Sequence, residues 1–457
     1  MNSRIVLPPP AAPTRTPAGA GGAAPADAAR CNDSAALAPD YGPAPRRSRL
    51  RRWIYRRLLR GLTALYLVLL RVLGVIGRRP RPIRDDLGAE ILLTGTFHSD
   101  NWITAHLRPL AASRRCARLY IVATYPVPAT PNVVLIQPPA WLRRLTGAVP
   151  ARLLTFTWEA LRRRPHIVGG FHLLLNGLVA ALVARLAGSR ALYFCVGGPA
   201  EVIGGGFQAE NRLFSRLEGP DPVIERRLIR AVAAFDLVIT MGTRAVEFFR
   251  LHGVQTQMRV VSGGIDAEHF RPIWGQTPPS ADLILVGRLV AIKRIDVFLR
   301  AVHQVRACHP DVRALIVGDG EARAALERLA AELKLDGCVT FAGQCRDVGA
   351  CLRRARIFVL TSDSEGLALS LMEAMTSGLP AVVSDVGDLA DLVEPGVNGY
   401  LVPRRAVGQF ADAFSALLAD PARLAQFSAA ARASARRYEL SAATRKWDEI
   451  LASESVR

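Results

Sequence analysis

From residue 88 onward, short apolar runs of strand length alternate with longer segments of helical period. This alternation constrains the fold more than any other feature, because it is typical of parallel sheets joined by crossover helices. It predicts two sets of strands: Glu90–Gly95, Leu119–Thr124, His166–Gly170, Ala191–Gly197, Asp236–Gly242 and Met258–Gly264, then Asp282–Gly287, Ala314–Gly320, Val339–Gly343, Ile357–Ser362, Ala381–Asp385 and Gly399–Pro403.

The Pro-rich run Phe270–Ser280 interrupts this rhythm and predicts a linker between two α/β domains. We therefore expect one domain over 88–270, a second over 281–435 and a C-terminal helix over 436–457. A chain of 457 residues is long enough for two such domains. Open parallel sheets bind ligands at the carboxyl ends of their strands, so a cleft between the domains is the expected site.

The N-terminal fifth of the chain is compositionally distinct. Residues 1–45 are rich in Ala, Pro and Gly without hydrophobic periodicity, which predicts a disordered tail. They lack the layout of a signal peptide. Residues 1–90 hold 16 Arg and 6 acidic residues, so they contribute half of the formal net charge of +20. A basic excess of this kind indicates an anionic partner, either a membrane surface or nucleic acid.

Residues 46–80 predict a basic amphipathic helix. Six arginines fall on one narrow stripe and most other side chains are apolar: Arg49, Arg52, Arg56, Arg60, Arg71 and Arg78. A spanning helix would place Arg71 near the bilayer centre at a cost of about 2.5–3.5 kcal/mol. We therefore expect residues 46–79 to lie in the interface of an anionic membrane. The alternative is a helix that covers the protein's own surface. Nucleic acid is not an expected partner, because the helix is too apolar.

The seven cysteines include no CxxC pair, which favours reduced thiols in a cytosolic compartment. Cys338, Cys345 and Cys351 lie close in sequence, but no fourth ligand of suitable spacing follows them, so small buried hydrophobic residues are the expected role. The sequence predicts no metal site.

The stretch IFVLTSDSEGLALSLMEAMTSGLP, residues 357–380, carries the strongest functional signal. A buried strand leads into a loop and then a helix that Gly378 and Pro380 stop. The backbone amides of Gly366, Leu367 and Ala368 lie at the start of that helix, where free N–H groups and the helix dipole favour an anion.

Two carboxylates flank this helix start. Glu365 lies in the loop and Glu373 on the body of the helix, and such groups can accept hydrogen bonds from sugar or ribose hydroxyls. Taken alone, two glutamates at this spacing are typical of a solvated helix face. The whole string after a buried strand is far more specific.

The stretch ILVGRLVAIKR, residues 284–294, carries the second signal. The strand ends at Gly287, which lets a ligand approach the backbone. Arg288 and Lys293 follow, and this pair of cations suits a diphosphate. Lys293 is one of only three lysines beside 56 arginines, which makes its position more informative.

Together these stretches resemble the family 4 retaining glycosyltransferases, also called group 1. The resemblance covers most of 88–450 and is densest over 281–403, in VGRLVAIKR, LIVGDGE, VTFAGQ, SEGLALSLMEA and SGLPAVVSDVGDLADLVEPGVNGYLVP. The run VVSGGIDAEHFRP at 260–272 resembles the segment that closes the first domain. The resemblance implies the GT-B fold, in which two Rossmann-like domains face each other across a cleft.

The resemblance also implies roles for individual residues. Arg288 and Lys293 would bind the donor diphosphate, Glu365 would contact the transferred sugar, and Glu373 would bind the ribose hydroxyls. Backbone around Phe341–Gln344 would meet the base. The donor would be a UDP- or GDP-linked sugar used as substrate, with no cofactor and no metal. The sugar would be transferred with retention of configuration.

The N-terminal domain matches less well. The strand ALYFCVGG ends in Gly197 and Gly198, where family members often carry a histidine. His98 and His172 are the candidates to line the cleft, although packing or capping is an equally good interpretation for each. Glu201 and Gly204–Gly206 are expected to form an acceptor-side loop or a plain flexible loop.

The sequence thus predicts a cytoplasmic glycosyltransferase, peripheral at the inner membrane face, that acts on a lipid-linked or polysaccharide acceptor. Two alternatives remain open on the same fold: a nucleotide-sugar epimerase or phosphorylase, and a non-catalytic scaffold. A nucleic-acid binder rests on net charge alone.

Overall fold

The computed structural model describes residues 49–84, 86–96, 100–207, 209, 211, 213–272 and 279–455. The predicted tail over 1–45 and much of the predicted linker Phe270–Ser280 lie outside the described residues.

The N-terminal half forms a parallel sheet of seven strands. Its order, β3-β2-β1-β4-β5-β6-β7, refers to β1 (Ala89–Thr94), β2 (Cys116–Val122), β3 (Val133–Ile136), β4 (Ile167–Phe171), β5 (Arg190–Cys195), β6 (Leu237–Thr240) and β7 (Gln257–Val260). Its helices are α1 (Arg49–Ile76), α2 (Asp100–Ala111), α3 (Ala140–Thr146), α4 (Ala148–Arg163), α5 (Leu178–Ala187), α6 (Pro222–Val232) and α7 (Thr243–Leu251).

The C-terminal half forms a parallel sheet of six strands. Its order, β10-β9-β8-β11-β12-β13, refers to β8 (Leu283–Val286), β9 (Ala314–Val317), β10 (Val339–Gly343), β11 (Ile357–Leu360), β12 (Ala381–Ser384) and β13 (Gly399–Val402). Its helices are α8 (Ile295–Val305), α9 (Arg323–Glu332), α10 (Val348–Leu352), α11 (Leu369–Thr376), α12 (Val407–Leu418), α13 (Pro421–Ala435) and α14 (Leu440–Ser455).

The predicted fold of two Rossmann-like α/β domains is confirmed. All twelve predicted strands form, with ends that differ by a few residues. The prediction omitted β3, an edge strand of four residues that are all half-buried. Such a strand has no alternation of buried and exposed positions to detect.

In each sheet the order in which the chain adds strands reverses at one place, and a ligand site is expected there. In each order the chain first adds strands on one side and then moves to the other, so β1 lies beside β4 and β8 lies beside β11. The loops that follow these neighbouring strands diverge and leave a crevice at the carboxyl edge of the sheet.

The C-terminal helix returns to the N-terminal half. Helix α14 packs on α2, where the Ser113 hydroxyl donates to Asp448 at 2.6 Å. Farther along α14, Glu454 pairs with Arg190, and the ring centroids of Trp447 and Phe194 are 5.8 Å apart. The last helix therefore joins the two halves.

Helix α1 packs on α5 and α6, and the middle of its arginine stripe lies against the protein, whereas Arg71 of the same stripe is exposed. Arg60 pairs with the buried Asp221 at 3.0 Å, and Arg52 lies 3.6 Å from Glu218. The expectation that this part of the stripe contacts lipid is wrong, because the carboxylates of the domain neutralise it. The outward side of the helix carries many apolar side chains, with exposed arginines among them. By length and composition alone, Leu50–Ile76 is also long and apolar enough to cross a membrane.

Candidate active site

Lys293 and Glu365 meet at the point where β8 and β11 end side by side. The Lys293 amine donates to Oε1 of Glu365 at 2.6 Å, and the Ser362 hydroxyl donates to the same oxygen at 2.5 Å. Both charged side chains are largely shielded, with 19% and 9% of their surfaces exposed. The ammonium carries three donors, so it has the capacity to bind phosphate oxygens as well as this carboxylate.

The backbone holds this pair in place from both loops. The Thr361 hydroxyl donates to the carbonyl oxygens of Lys293 at 3.1 Å and Arg294 at 2.9 Å. The Asp363 amide donates to the Ile292 carbonyl, and the Asp363 carboxylate accepts two bonds from Arg405. The loop residues that lead to Glu365 are thus tied to the loop that ends at Lys293, so the amine and the carboxylate are held close together.

Arg288 begins the loop that ends at Lys293, and its side chain is exposed. The preceding Gly287 has open space where a Cβ would be. On its other side, a Cβ on Gly318 would lie 1.9 Å from the Gly287 carbonyl oxygen, so only glycine permits β9 to end this close to β8. Backbone at Gly287 is therefore accessible from one side, as the predicted role in donor binding requires.

The residues predicted to meet the base lie at the end of β10, two strands away from β8. Phe341 is half-buried and Gln344 is exposed. Backbone hydrogen bonds join the ends of these strands. The Gly318 amide donates to the Gly343 carbonyl, and the Gly287 amide donates to the Val317 carbonyl. The predicted diphosphate and base positions thus share one edge of the sheet.

Helix α11 begins at Leu369, and its N-cap residue Ala368 makes no side-chain capping bond. The preceding Gly366 faces the N-terminal half, where a Cβ added to it would lie 2.8 Å from the Val196 carbonyl oxygen at the end of β5. Gly366, Leu367 and Ala368 therefore lie where the two halves meet, and no capping side chain competes with an anion at the helix start.

Glu373 is buried on α11, and the Asn101 side chain of α2 donates a hydrogen bond to its carboxylate. Burial raises the pKa of Glu373 to about 8, and the bond from Asn101 offsets only part of that rise. Sequence reasoning assigned Glu373 to ribose binding but missed Asn101, which brings the contact from the opposite half.

We expect Glu373→Gln to flatten the dependence of stability on pH. In the folded state the Glu373 carboxyl keeps its proton up to about pH 8, whereas in the unfolded state it loses the proton near pH 4.5. Its contribution to the stability of the fold is therefore fully present below pH 4.5 and is lost as the pH rises to 8. The parent should lose about 1.4 kcal/mol per pH unit more than the variant within this window. Thermal melts from pH 5 to 8 test this, with the exposed Glu332→Gln as control. Parallel curves for parent and Glu373→Gln would contradict it.

His172 follows β4 at the corresponding edge of the N-terminal sheet, with a positive φ of 64°. Its Nδ1 lies 3.1 Å from Oε1 of the buried Glu201. Burial alone would raise the pKa of Glu201, but His172 and hydrogen bonds from the Leu173 and Gly197 amides hold the pKa of this carboxyl below its usual range. Glu201 therefore orients His172. The other candidate, His98, lies outside the described residues.

Two aspartates of the C-terminal half cap helix α7 of the N-terminal half. Asp391 accepts from the Thr243 amide at 2.6 Å and from its hydroxyl at 2.5 Å, and Asp388 accepts from the Arg244 amide at 2.9 Å. Burial and the nearby Asp391 raise the pKa of Asp388 to about 6. Both aspartates lie within the stretch that carries the family resemblance, but their contacts depend on a fold that brings α7 to them.

Within the described ranges, no group of three or more His, Cys, Asp or Glu side chains is arranged to hold a metal ion. Cys345 and Cys351 lie close together, with sulfur atoms 2.7 Å apart, and Cys338 is buried elsewhere.

Residues 266–434 match the family described as Glycosyl transferases group 1. Over 249 residues the chain is 34% identical to D-inositol 3-phosphate glycosyltransferase 2 of Catenulispora acidiphila. The aligned region covers 50% of this chain and 56% of that protein. Over 241 residues it is 32% identical to D-inositol 3-phosphate glycosyltransferase of Mycobacterium tuberculosis, covering 48% and 49%. The chain spans about half the length of the curated relatives it matches.

Two solved structures cover 80% of this chain. Sucrose-phosphate synthase from Thermosynechococcus elongatus has a TM-score of 0.65 at 20% identity and is covered over 98% of its length. Anabaena HepE in complex with UDP and glucose has a TM-score of 0.61 at 19% identity and is covered completely. The structural likeness establishes the GT-B fold, and the family match and the named relatives support a glycosyltransferase.

Proposed function

We propose that this chain is a glycosyltransferase that moves a sugar from a nucleotide diphosphate donor to an acceptor bound at the N-terminal half. The observation that carries the proposal is the Lys293–Glu365 pair at the switch point of the C-terminal sheet, beside the uncapped start of α11. A cation, a carboxylate and free amides at one point suit a phosphate joined to a sugar.

The chemistry follows from charge. As the bond between the sugar and the diphosphate breaks, negative charge develops on the leaving group. Lys293, Arg288 and the start of α11 would stabilise this charge. Glu365 would contact the transferred sugar and Glu373 the ribose. The proposed reaction retains the anomeric configuration, as in family 4, and needs neither a cofactor nor a metal.

For the donor we propose a UDP- or GDP-linked sugar. The structural neighbour HepE holds UDP and glucose, which supports the uridine nucleotide. Phe341 and Gln344 at the end of β10 would lie along the base.

For the acceptor we propose a lipid-linked or polysaccharide saccharide at the cytoplasmic face of a membrane. Support comes from the outer face of α1, defined here by the exposed apolar side chains Trp53, Leu58, Leu65, Leu69 and Val72. Exposed apolar side chains of this extent mark an interaction site.

Helices α3 and α4 add two exposed tryptophans, Trp141 and Trp158. Because both α1 and α4 pack on α5, these side chains and the outer face of α1 belong to one layer of the domain. Arg51 and Arg57 on α1 and Arg144 on α3 are exposed on the same helices. Tryptophan and arginine beside apolar side chains suit an anionic membrane surface.

The proposed function predicts that the full chain releases nucleoside diphosphate from at least one sugar in a panel of UDP- and GDP-sugars. Glu365→Ala and Arg288→Ala should each lower this rate by about tenfold or more, since each removes a group that contacts the reacting ends. Glu332→Ala, an exposed glutamate on α9, is the matched control. Equal rates in all four proteins would contradict the site. Conversion of the donor without transfer would instead indicate an epimerase or phosphorylase.

A further inference from the structure

Helix α1 does not pack flush against the domain. Its polar anchors are the Arg60–Asp221 pair, a bond from the Tyr66 hydroxyl to the Leu178 carbonyl at 3.0 Å, and bonds from Arg227 to the Arg60 carbonyl and the Thr63 hydroxyl. Between these anchors runs a groove of about 240 Å³.

The groove is lined almost entirely by carbon. Its walls include Leu59 and Leu62 of α1, Leu175 and Leu182 from the segment after β4, and Leu228 of α6. The Tyr66 hydroxyl and the Arg227 guanidinium at its edge are already bonded to protein oxygens. A surface of this composition binds hydrocarbon, because a polar ligand would lose its hydration without gaining hydrogen bonds.

One wall of the groove is continuous with the exposed apolar side chains of α1. Leu62 lines the groove and is also 51% exposed, next to Leu58 and Leu65 on the outer face of α1. A hydrocarbon chain that leaves a bilayer at this face would therefore meet apolar side chains where it enters the groove.

The groove also reaches the segment that follows the predicted acceptor-side histidine, because Leu175 lines it. Leu175 is three residues beyond His172, at the carboxyl edge of the sheet. Leu228 also backs the glycine loop Gly204–Gly206, because its side chain is 3.6 Å from a Cβ added to Gly206. The groove thus lies between an apolar outer surface and Leu175, on the segment that begins with His172.

We propose that the groove between α1 and α5 holds the hydrocarbon chain of a lipid-linked acceptor, with the saccharide end at His172. This inference rests on the proposed function and selects the lipid-linked acceptor over a free polysaccharide. Helix α1 is then one wall of the acceptor site, and the Arg60–Asp221 pair fixes the width of the groove.

The test measures binding of farnesyl phosphate to the full chain by calorimetry, without detergent, beside farnesol and inorganic phosphate. Leu182→Trp and Val179→Trp fill the groove and should weaken binding of both isoprenoids by about tenfold or more, since the chain loses its buried surface. Leu186→Trp, one turn farther along α5 and exposed, is the control. Melting temperatures show whether each variant is folded.

The groove is supported as the hydrocarbon site if the chain binds farnesyl phosphate and farnesol but not phosphate, and if Leu186→Trp binds both isoprenoids like the parent. Equal affinities in the parent and both groove variants, or binding of phosphate as tight as that of farnesyl phosphate, would overturn it. Donor turnover by a parent chain that binds no isoprenoid overturns this inference alone. Isoprenoid binding without turnover of any donor supports the groove as a hydrocarbon-binding site and contradicts the proposed function.

Discussion

Lys293→Met should lower kcat for donor turnover by about 10²–10³-fold, the effect of removing one preorganised charge from a reacting centre. Lys293 is well shielded and fixed by backbone bonds on both neighbouring loops. Its amine would oppose the charge that develops on the leaving diphosphate, so the loss should appear in kcat more than in KM. Methionine keeps the length and the apolar stem of lysine, and the variant leaves Glu365 bonded to Ser362.

Lys334 provides the matched control, because it is an exposed lysine of the same domain that follows α9. Lys334→Met should turn over donor like the parent. A Lys293→Met enzyme with kcat within twofold of the parent would show that the amine serves the structure of the loop and does not act on the leaving group.

Glu201→Gln should destabilise the fold by about 3–5 kcal/mol, the cost of breaking a buried charged network. The carboxylate accepts from the Leu173 amide at 2.5 Å, the Gly197 amide at 2.7 Å and the Tyr193 hydroxyl at 2.9 Å, besides its contact with His172. A glutamine would turn an N–H group toward some of these donors. Denaturant unfolding measures the loss of stability. Donor turnover measures the effect on the segment that bears His172, which depends on this carboxylate.

Glu225→Gln is the control for this substitution. Glu225 is half-buried and accepts a bond from the Gly204 amide at 2.7 Å, so its loss should cost about 1 kcal/mol. Equal unfolding free energies for Glu201→Gln and the parent would contradict the role of Glu201 as the centre of this network.

The architecture could be predicted from the sequence because several buried strands, such as Ile357–Leu360, are uninterrupted apolar runs. The Lys293–Glu365 contact was foreseeable as well, since both residues follow strands of one domain and lie near glycines. Local patterns of this kind determine which strand end a side chain occupies.

Contacts between distant segments could not be predicted in this way. The sequence shows that α1 has an arginine stripe, but not that Asp221 and Glu218 lie beneath it. Likewise, nothing local to Glu373 indicates that Asn101 approaches from the other half. These pairings are set by the packing of the two halves, which no single window of sequence encodes.

The most direct test of the central claim is a crystal structure of the full chain with UDP or GDP bound. The account predicts a diphosphate oxygen about 2.7–2.9 Å from the Lys293 amine, near the amides that begin α11, with the ribose toward Glu373. A nucleotide bound away from the ends of β8 and β11, with Lys293 and Glu365 paired only to each other, would contradict it.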